Sequence, residues 1–249
     1  VKRAITIAAM LAAAGLAGAQ MFAQLFGTTG TPIPAVAWYK LDGNALDSSG
    51  NGYNGTWGGS PTYVAGVFDG SQAASLLRGR WIGTGHDFAD AGYLFAGPGV
   101  AWTVAWWQRS TNQVAVSINY SPDGSASAAK NLQSYMHTAS AQFTPRVVIR
   151  GANTGTSALT FDGIWHHHAV RWDGVSAVFI KDGTTVYNLS VGDTTNVVGT
   201  MYLGNSNLYG DPAKPWSIDD VRVYDRAISV ENLARIMESQ DNEPLEELQ

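Results

Sequence analysis

Apolar and polar residues alternate with a period of two from Ala37. Ala37, Tyr39 and Leu41 fall on one side of an extended chain, and Trp38, Lys40 and Asp42 on the other, which predicts a β-strand. A loop dense in Gly, Asn and Ser follows as far as Gly59. Short runs of the same kind recur downstream: WTVAWWQRS, VAVSINY, FTPRVVIRG, HHHAVRW, AVFIKDG, TVYNLSV, MYLGN and DDVRVYD. The dipeptides Asp162-Gly163, Asp173-Gly174 and Asp182-Gly183 stand beside them, the usual chemistry of hairpin turns. This spacing predicts an antiparallel sandwich rather than βαβ units. One segment departs from it: Ser229 can cap a helix, with Glu231 and Asn232 in its first turn and Leu233, Ile236 and Met237 on its apolar side. The fold class read from the pattern is all-β, two antiparallel sheets with a short C-terminal helix.

The two ends read differently. A basic VKR start, the small apolar run AITIAAMLAAAGLAG and the triplet Ala17-Gly18-Ala19 predict a secretory signal peptide over residues 1–19, cut before Gln20. Apolar residues continue through Met21, Phe22, Leu25 and Phe26, so a retained helix reaching to about residue 26, serving as anchor or packing stem, is the alternative. Residues 20–34, which include GTTGTPIP, read as a linker, 35–237 as the sandwich, and 238–249 as a solvated acidic tail.

Composition narrows the function. The chain has 249 residues, enough for one large all-β domain with a sizeable core. It contains no cysteine, so no disulfide supports it; this does not argue against export. Net charge is −5, with 14% charged residues and no basic run, which gives nucleic-acid binding little support. No GxSxG, HExxH or phosphate-binding loop is present.

Two sets of residues carry candidate chemistry. The first loop offers the hard oxygen donors Asp42, Asn44, Asp47 and Asn54, and the last strand opens on Asp219 and Asp220. Such donors suit a calcium ion, with carbonyls of Asn51 or Gly52 completing the shell. The competing reading is that Asp47 to Gly52 only form turns. Strand alternation sends Asp219 and Asp220 to opposite faces, so one of them would ligate. His166 and His168 would share a face, but no Cys or third nearby His accompanies them. Sugar rings stack on aromatic faces, and the aromatic candidates assigned to loops are Trp57, Trp81, Tyr209 and Trp216, with Asn205 and Asn207 near Tyr209 as hydrogen-bonding partners. Packing of these rings onto the sandwich is the alternative.

The chain also resembles the laminin-G-like branch of the concanavalin A-like lectin/glucanase superfamily. The resemblance rests on WYKLDGNALDSSGNGYNGTW, FDGSQAASL at 68–76, WTVAWW at 102–107, GIWHHHAVRWDG at 163–174, VFIKDG at 178–183 and IDDVRVYDRAIS at 218–229, in the family's order. It implies a jelly-roll sandwich, commonly a secreted binding module and often calcium-bearing. It favours Asp219 as the ligating acid and a structural role for the histidines. The superfamily's glucanases use paired carboxylates, whereas every glutamate here lies at Glu231 or later and the E-x-D-x-x-E arrangement is missing. The expected protein is therefore a secreted, non-catalytic module that binds glycans or a glycan-bearing surface and holds a structural calcium. No nucleic acid, and no membrane after signal cleavage, is expected as a partner. The alternative is a structural subunit of an extracellular filament, virion or surface assembly, homo-oligomeric if the N-terminal helix is retained.

Overall fold

The computed structural model describes residues 32–77, 79–85, 100–111, 118–121, 132–139, 142–149, 152–153, 162–190, 199–204, 215–241 and 245–246. The signal-peptide segment, most of the linker, Asn205, Asn207, Tyr209 and half of the acidic tail lie outside the described residues. The chain falls into two units, Val1–Ile33 with Glu246–Gln249, and Pro34–Leu245. The second is the sandwich.

In chain order the elements are β1 Pro32–Ile33, β2 Ala37–Tyr39, β3 Thr56–Gly58, β4 Tyr63–Ala65, β5 Gln72–Leu76, β6 Trp81–Gly83, β7 Trp102–Ser110, β8 Ile118–Ser121, β9 Leu132–Ala139, β10 Gln142–Ile149, β11 Ala152–Asn153, β12 Trp165–Trp172, β13 Ser176–Lys181, β14 Thr184–Ser190, β15 Thr200–Gly204, β16 Trp216–Tyr224, α1 Val230–Glu238 and β17 Leu245–Glu246. Among the described residues one sheet has the order β14-β13-β12-β7-β16-β5-β4, with β2 also paired to β16. The facing sheet has the order β11-β10-β9-β8-β15-β6-β3, and β1 with β17 forms a two-stranded sheet. Ladders within the two large sheets run antiparallel, for example Trp102↔Trp172 and Trp106↔His168 between β7 and β12.

The period-two reading accounts for the core. Trp102, Val104 and Trp106 of β7, Val170 and Trp172 of β12, Phe179 of β13 and Leu203 of β15 all belong to one buried cluster. Each such side chain removed from water contributes about 1.5–3 kcal/mol. The helix starts where capping chemistry places it: the Ser229 side chain accepts from the Asn232 N–H, Glu231 sits in the first turn and Arg235 in the last, in keeping with the helix dipole. Leu233 and Ile236 are buried, as the pattern predicts, while Met237 is half-buried and Asn232, placed by the pattern only in the first turn, is buried too.

One departure from alternation positions the rest. On β16 the core residues are Trp216 and Ile218, then Val221 and Val223. The phase slips by one because the register against β7 shifts between Asp219 and Arg222, and Asp220 takes a left-handed backbone with φ 47. This is a β-bulge, an extra residue that bends the strand. Asp219 and Asp220 both fall outside the hydrophobic core, so simple alternation fails at this pair.

Candidate ligand-binding site and the expected calcium loop

The loop after β2 is organised by Asp47. Its Oδ1 accepts from the N–H groups of Trp38 and Ser49, both at 2.9 Å. Its Oδ2 accepts from the Tyr53 N–H at 3.0 Å and the Ser49 hydroxyl at 2.8 Å. Asn54 Oδ1 accepts from the Asp47 N–H, and Asn44 Oδ1 from the Leu46 N–H. These are the hydrogen bonds of turn-forming side chains. They turn three of the six expected calcium donors toward the loop's own backbone.

Asp220 is engaged elsewhere. Its Oδ1 accepts from the Trp38 indole N–H at 2.7 Å, and both oxygens lie 3.1 Å from Arg222 Nε. The Arg222 guanidinium is fully buried, donates to the carbonyls of Ser239 and Gln240, and stacks 4.5 Å from the Trp38 ring. Because β2 pairs with β16 through Arg222↔Trp38, a buried ion pair and an indole join the sandwich's first and last strands. Ser239 and Gln240, expected in a solvated tail, are packed here instead.

Asp42 and Asp219 remain. Asp219 is fully buried and its Oδ2 accepts from the Val67 N–H at 2.8 Å, while Gln240 Nε2 stands 3.5 Å from Oδ1. Burial pushes its carboxyl up to about 8, and the Asp220 and Asp42 charges act in the same direction. The exposed Asp42 accepts from the Gln72 N–H at 2.6 Å. A pocket of about 400 Å³ opens there, with Asp42, Phe68, Ser71 and Gln240 in its wall. A buried carboxylate bonded by neutral donors beside a second carboxylate has donor chemistry that suits a hard cation. Among the described residues, however, no group of three or more His, Cys, Asp or Glu side chains is arranged to hold a metal ion, so neutral oxygens would have to fill most of the shell here.

The histidines divide by burial. His167 and His168 are buried, and burial holds the His167 ring down to about 3 and the His168 ring well below its ordinary value. His168 stacks between Trp106 and Phe179. His166 is half-buried and meets two carboxylates, Asp162 and Asp182.

The aromatic candidates sort in the same way, and the structure corrects their assignment to loops: Trp57, Trp81 and Trp216 all lie in strands. Trp216 is 1% exposed within the hydrophobic cluster, so its ring has no face for a sugar; strand alternation beside Ile218 puts it inside. Trp57 packs against that cluster and donates from its indole to the Tyr63 hydroxyl at 2.9 Å. Trp81 differs. Its neighbour Ile82 and the paired Leu203 are buried in the core, so Trp81 and Tyr202 point to the outer face of the sheet. Both are half-buried, and their rings meet edge to face with centroids 5.3 Å apart. Glycines make room for them. A Cβ at Gly58 would collide with the Trp81 ring, and one at Gly83 would stand 2.7 Å from it. The indole therefore lies across bare backbone of β3 and β6, forming an aromatic platform. Tyr202, Gly58 and Gly83 were not among the sequence candidates; the phase of Met201 and Leu203 was the signal that could have found Tyr202.

Fold and site together define a two-sheet antiparallel β-sandwich of lectin type. The family model described as the concanavalin A-like lectin/glucanases superfamily, of laminin-G type, matches residues 83–234. The match spans more than half of the chain, and the protein belongs to this family. No curated protein matches it. Among solved structures it is similar to domain 4 of AbnA, an extracellular arabinanase from Geobacillus stearothermophilus in complex with arabinotriose, with TM-score 0.60 and 17% identity over 82% of this chain and 98% of that one. It is similar to the binding domain of botulinum neurotoxin DC in complex with SialylT, with TM-score 0.57 and 11% identity over 84% of this chain and 52% of that one. The ligand-binding domain of botulinum neurotoxin serotype D, in complex with N-acetylneuraminic acid, gives TM-score 0.52 and 13% identity over 82% and 50%. The chain thus spans about half of the neurotoxin domains and nearly all of the arabinanase domain. At these identities the likeness is one of fold. The chain resembles non-catalytic lectin and binding modules.

Proposed function

We propose that this protein is an exported, non-catalytic recognition module that binds glycans through the Trp81–Tyr202 platform. The platform itself carries the reading: a half-exposed indole laid flat over glycine backbone presents an apolar face to the C–H side of a sugar ring. Membership of a lectin-type family supports it, as do similar folds solved with arabinotriose and with N-acetylneuraminic acid. The test is calorimetric titration against ligands found on a glycan array, with Trp81→Ala and Gly58→Ala as variants. Trp81→Ala removes the platform and Gly58→Ala lifts the ring from its seat. Each is expected to weaken binding at least about tenfold, or about 1.4 kcal/mol. Unchanged affinity in both variants would remove the platform from the function.

A structural calcium is a second element of this proposal. Asp42 and Asp219 are the residues that would hold it, at the place where β16 meets the chain following β2. When bound, the ion would neutralise the buried carboxylate and add its binding energy to folding.

A further inference from the structure

We propose that Asp162, His166 and Asp182 form a pH-sensitive latch that holds the entry to β12 against the β13–β14 turn only while the His166 ring carries both of its protons. The geometry is a ring between two acceptors. Nδ1 lies 2.7 Å from Asp182 Oδ2, and Nε2 lies 3.1 Å from Asp162 Oδ2. Carboxylates only accept hydrogen bonds, so both contacts together need an N–H at each ring nitrogen, which is the imidazolium form. With both nitrogens engaged, the ring presents no free base to a substrate and no lone pair to a metal.

The two moorings are unequal. Asp182 is fixed by exchange with its neighbour across the ladder: its Oδ1 accepts from the His167 N–H, and its own N–H donates to the His167 carbonyl, both at 2.9 Å. It also occupies a left-handed turn position, with φ 48. Asp162 sits on an exposed bend, where its Oδ1 accepts from the Ile164 N–H. That backbone bond first, and His166 second, hold the Asp162 carboxyl below its ordinary value, so it stays an anion through the neutral range. When the ring loses a proton, the shorter, better-fixed Nδ1–H contact to Asp182 persists. The Nε2 lone pair then faces the Asp162 carboxylate, and attraction becomes repulsion. The bend at 162–164 is the part that lets go.

The surroundings contain other polar and charged groups. Gln108 of β7 is the cross-strand partner of His166. Arg109 of the same strand lies over Trp165, 4.8 Å from its ring centre. Lys181 of β13 pairs with His168, whose ring centre stands 6.5 Å from that of His166. His167 and His168 are fully buried, and burial holds both rings below the ordinary imidazole value; of the three, His166 is the one whose two ring nitrogens both face carboxylates.

The test is melting temperature from about pH 5.5 to about pH 8.5, the range over which exposed imidazole changes charge, on wild type, Asp162→Asn and His166→Gln. In Asp162→Asn the amide can donate to neutral Nε2, so its contact survives at high pH. Wild type is expected to lose about 2–4 °C relative to Asp162→Asn as pH rises, and His166→Gln is expected to show no such pH-dependent offset against Asp162→Asn. Hydrogen exchange at the Ile164 amide should accelerate in wild type beyond the intrinsic effect of pH. Parallel melting curves for wild type and Asp162→Asn, or protection at Ile164 that does not change with pH, would overturn the latch.

Discussion

Replacing Arg222 by Ala tests what joins the two ends of the sandwich. The guanidinium is fully buried, lies 3.0 Å from Asp220 Oδ2 through Nη2, and reaches the carbonyls of Ser239 and Gln240 at 3.3 Å. Truncation leaves a carboxylate that is 2% exposed without its cation. Breaking a buried pair from one side costs about 3–5 kcal/mol, because an uncompensated charge stays inside. For a domain of this size that is a fall of about 6–20 °C in melting temperature. Urea denaturation of wild type, Arg222→Ala, Asp220→Asn and the double variant forms a thermodynamic cycle. The double variant is expected to lose less than the sum of the two singles, since neither partner is then left charged and alone. If Arg222→Ala costs under about 1 kcal/mol, or the single effects add to within about 0.5 kcal/mol, the ion pair is not what holds β2 to β16.

Other outcomes follow from the same geometry. In calcium-free buffer, the folded state keeps the Asp219 proton up to about 8 while the unfolded chain releases it near 3.8, so stability should fall as pH rises through that window. Asp219→Asn should flatten this slope in urea titrations, and an unaltered slope would mean the carboxyl titrates normally. Added calcium should raise the melting temperature and EDTA lower it, with the response largely lost in Asp42→Ala; no shift with either reagent would end the proposal of a metal at this place. Intact mass of protein from its natural source should give a chain starting at Gln20, whereas retention of the N-terminal run would support the stem reading.

Much of this molecule is legible in its sequence, because strands buried on one face record that face as a period of two. The phase of Trp102, Val104 and Trp106, the glycine turns after Asp173 and Asp182, and the Ser229 cap are local chemistry, and each appears in the structure where the sequence puts it. Which atoms meet across long separations is not local. Asp47 and Asp220 look alike as oxygen donors, but the fold turns one toward backbone N–H groups and the other toward Arg222. The bulge that places Asp219 and Asp220 together outside the core arises from β16 fitting between β7, β5 and β2, and no single strand encodes that. Trp81 and Trp216 have the same ring. One is laid over a glycine of its own strand and a glycine of the paired strand and the other is sealed in the core, because the face a strand residue points to is set by its own alternation, while what covers that face depends on strands paired only in the folded sheet.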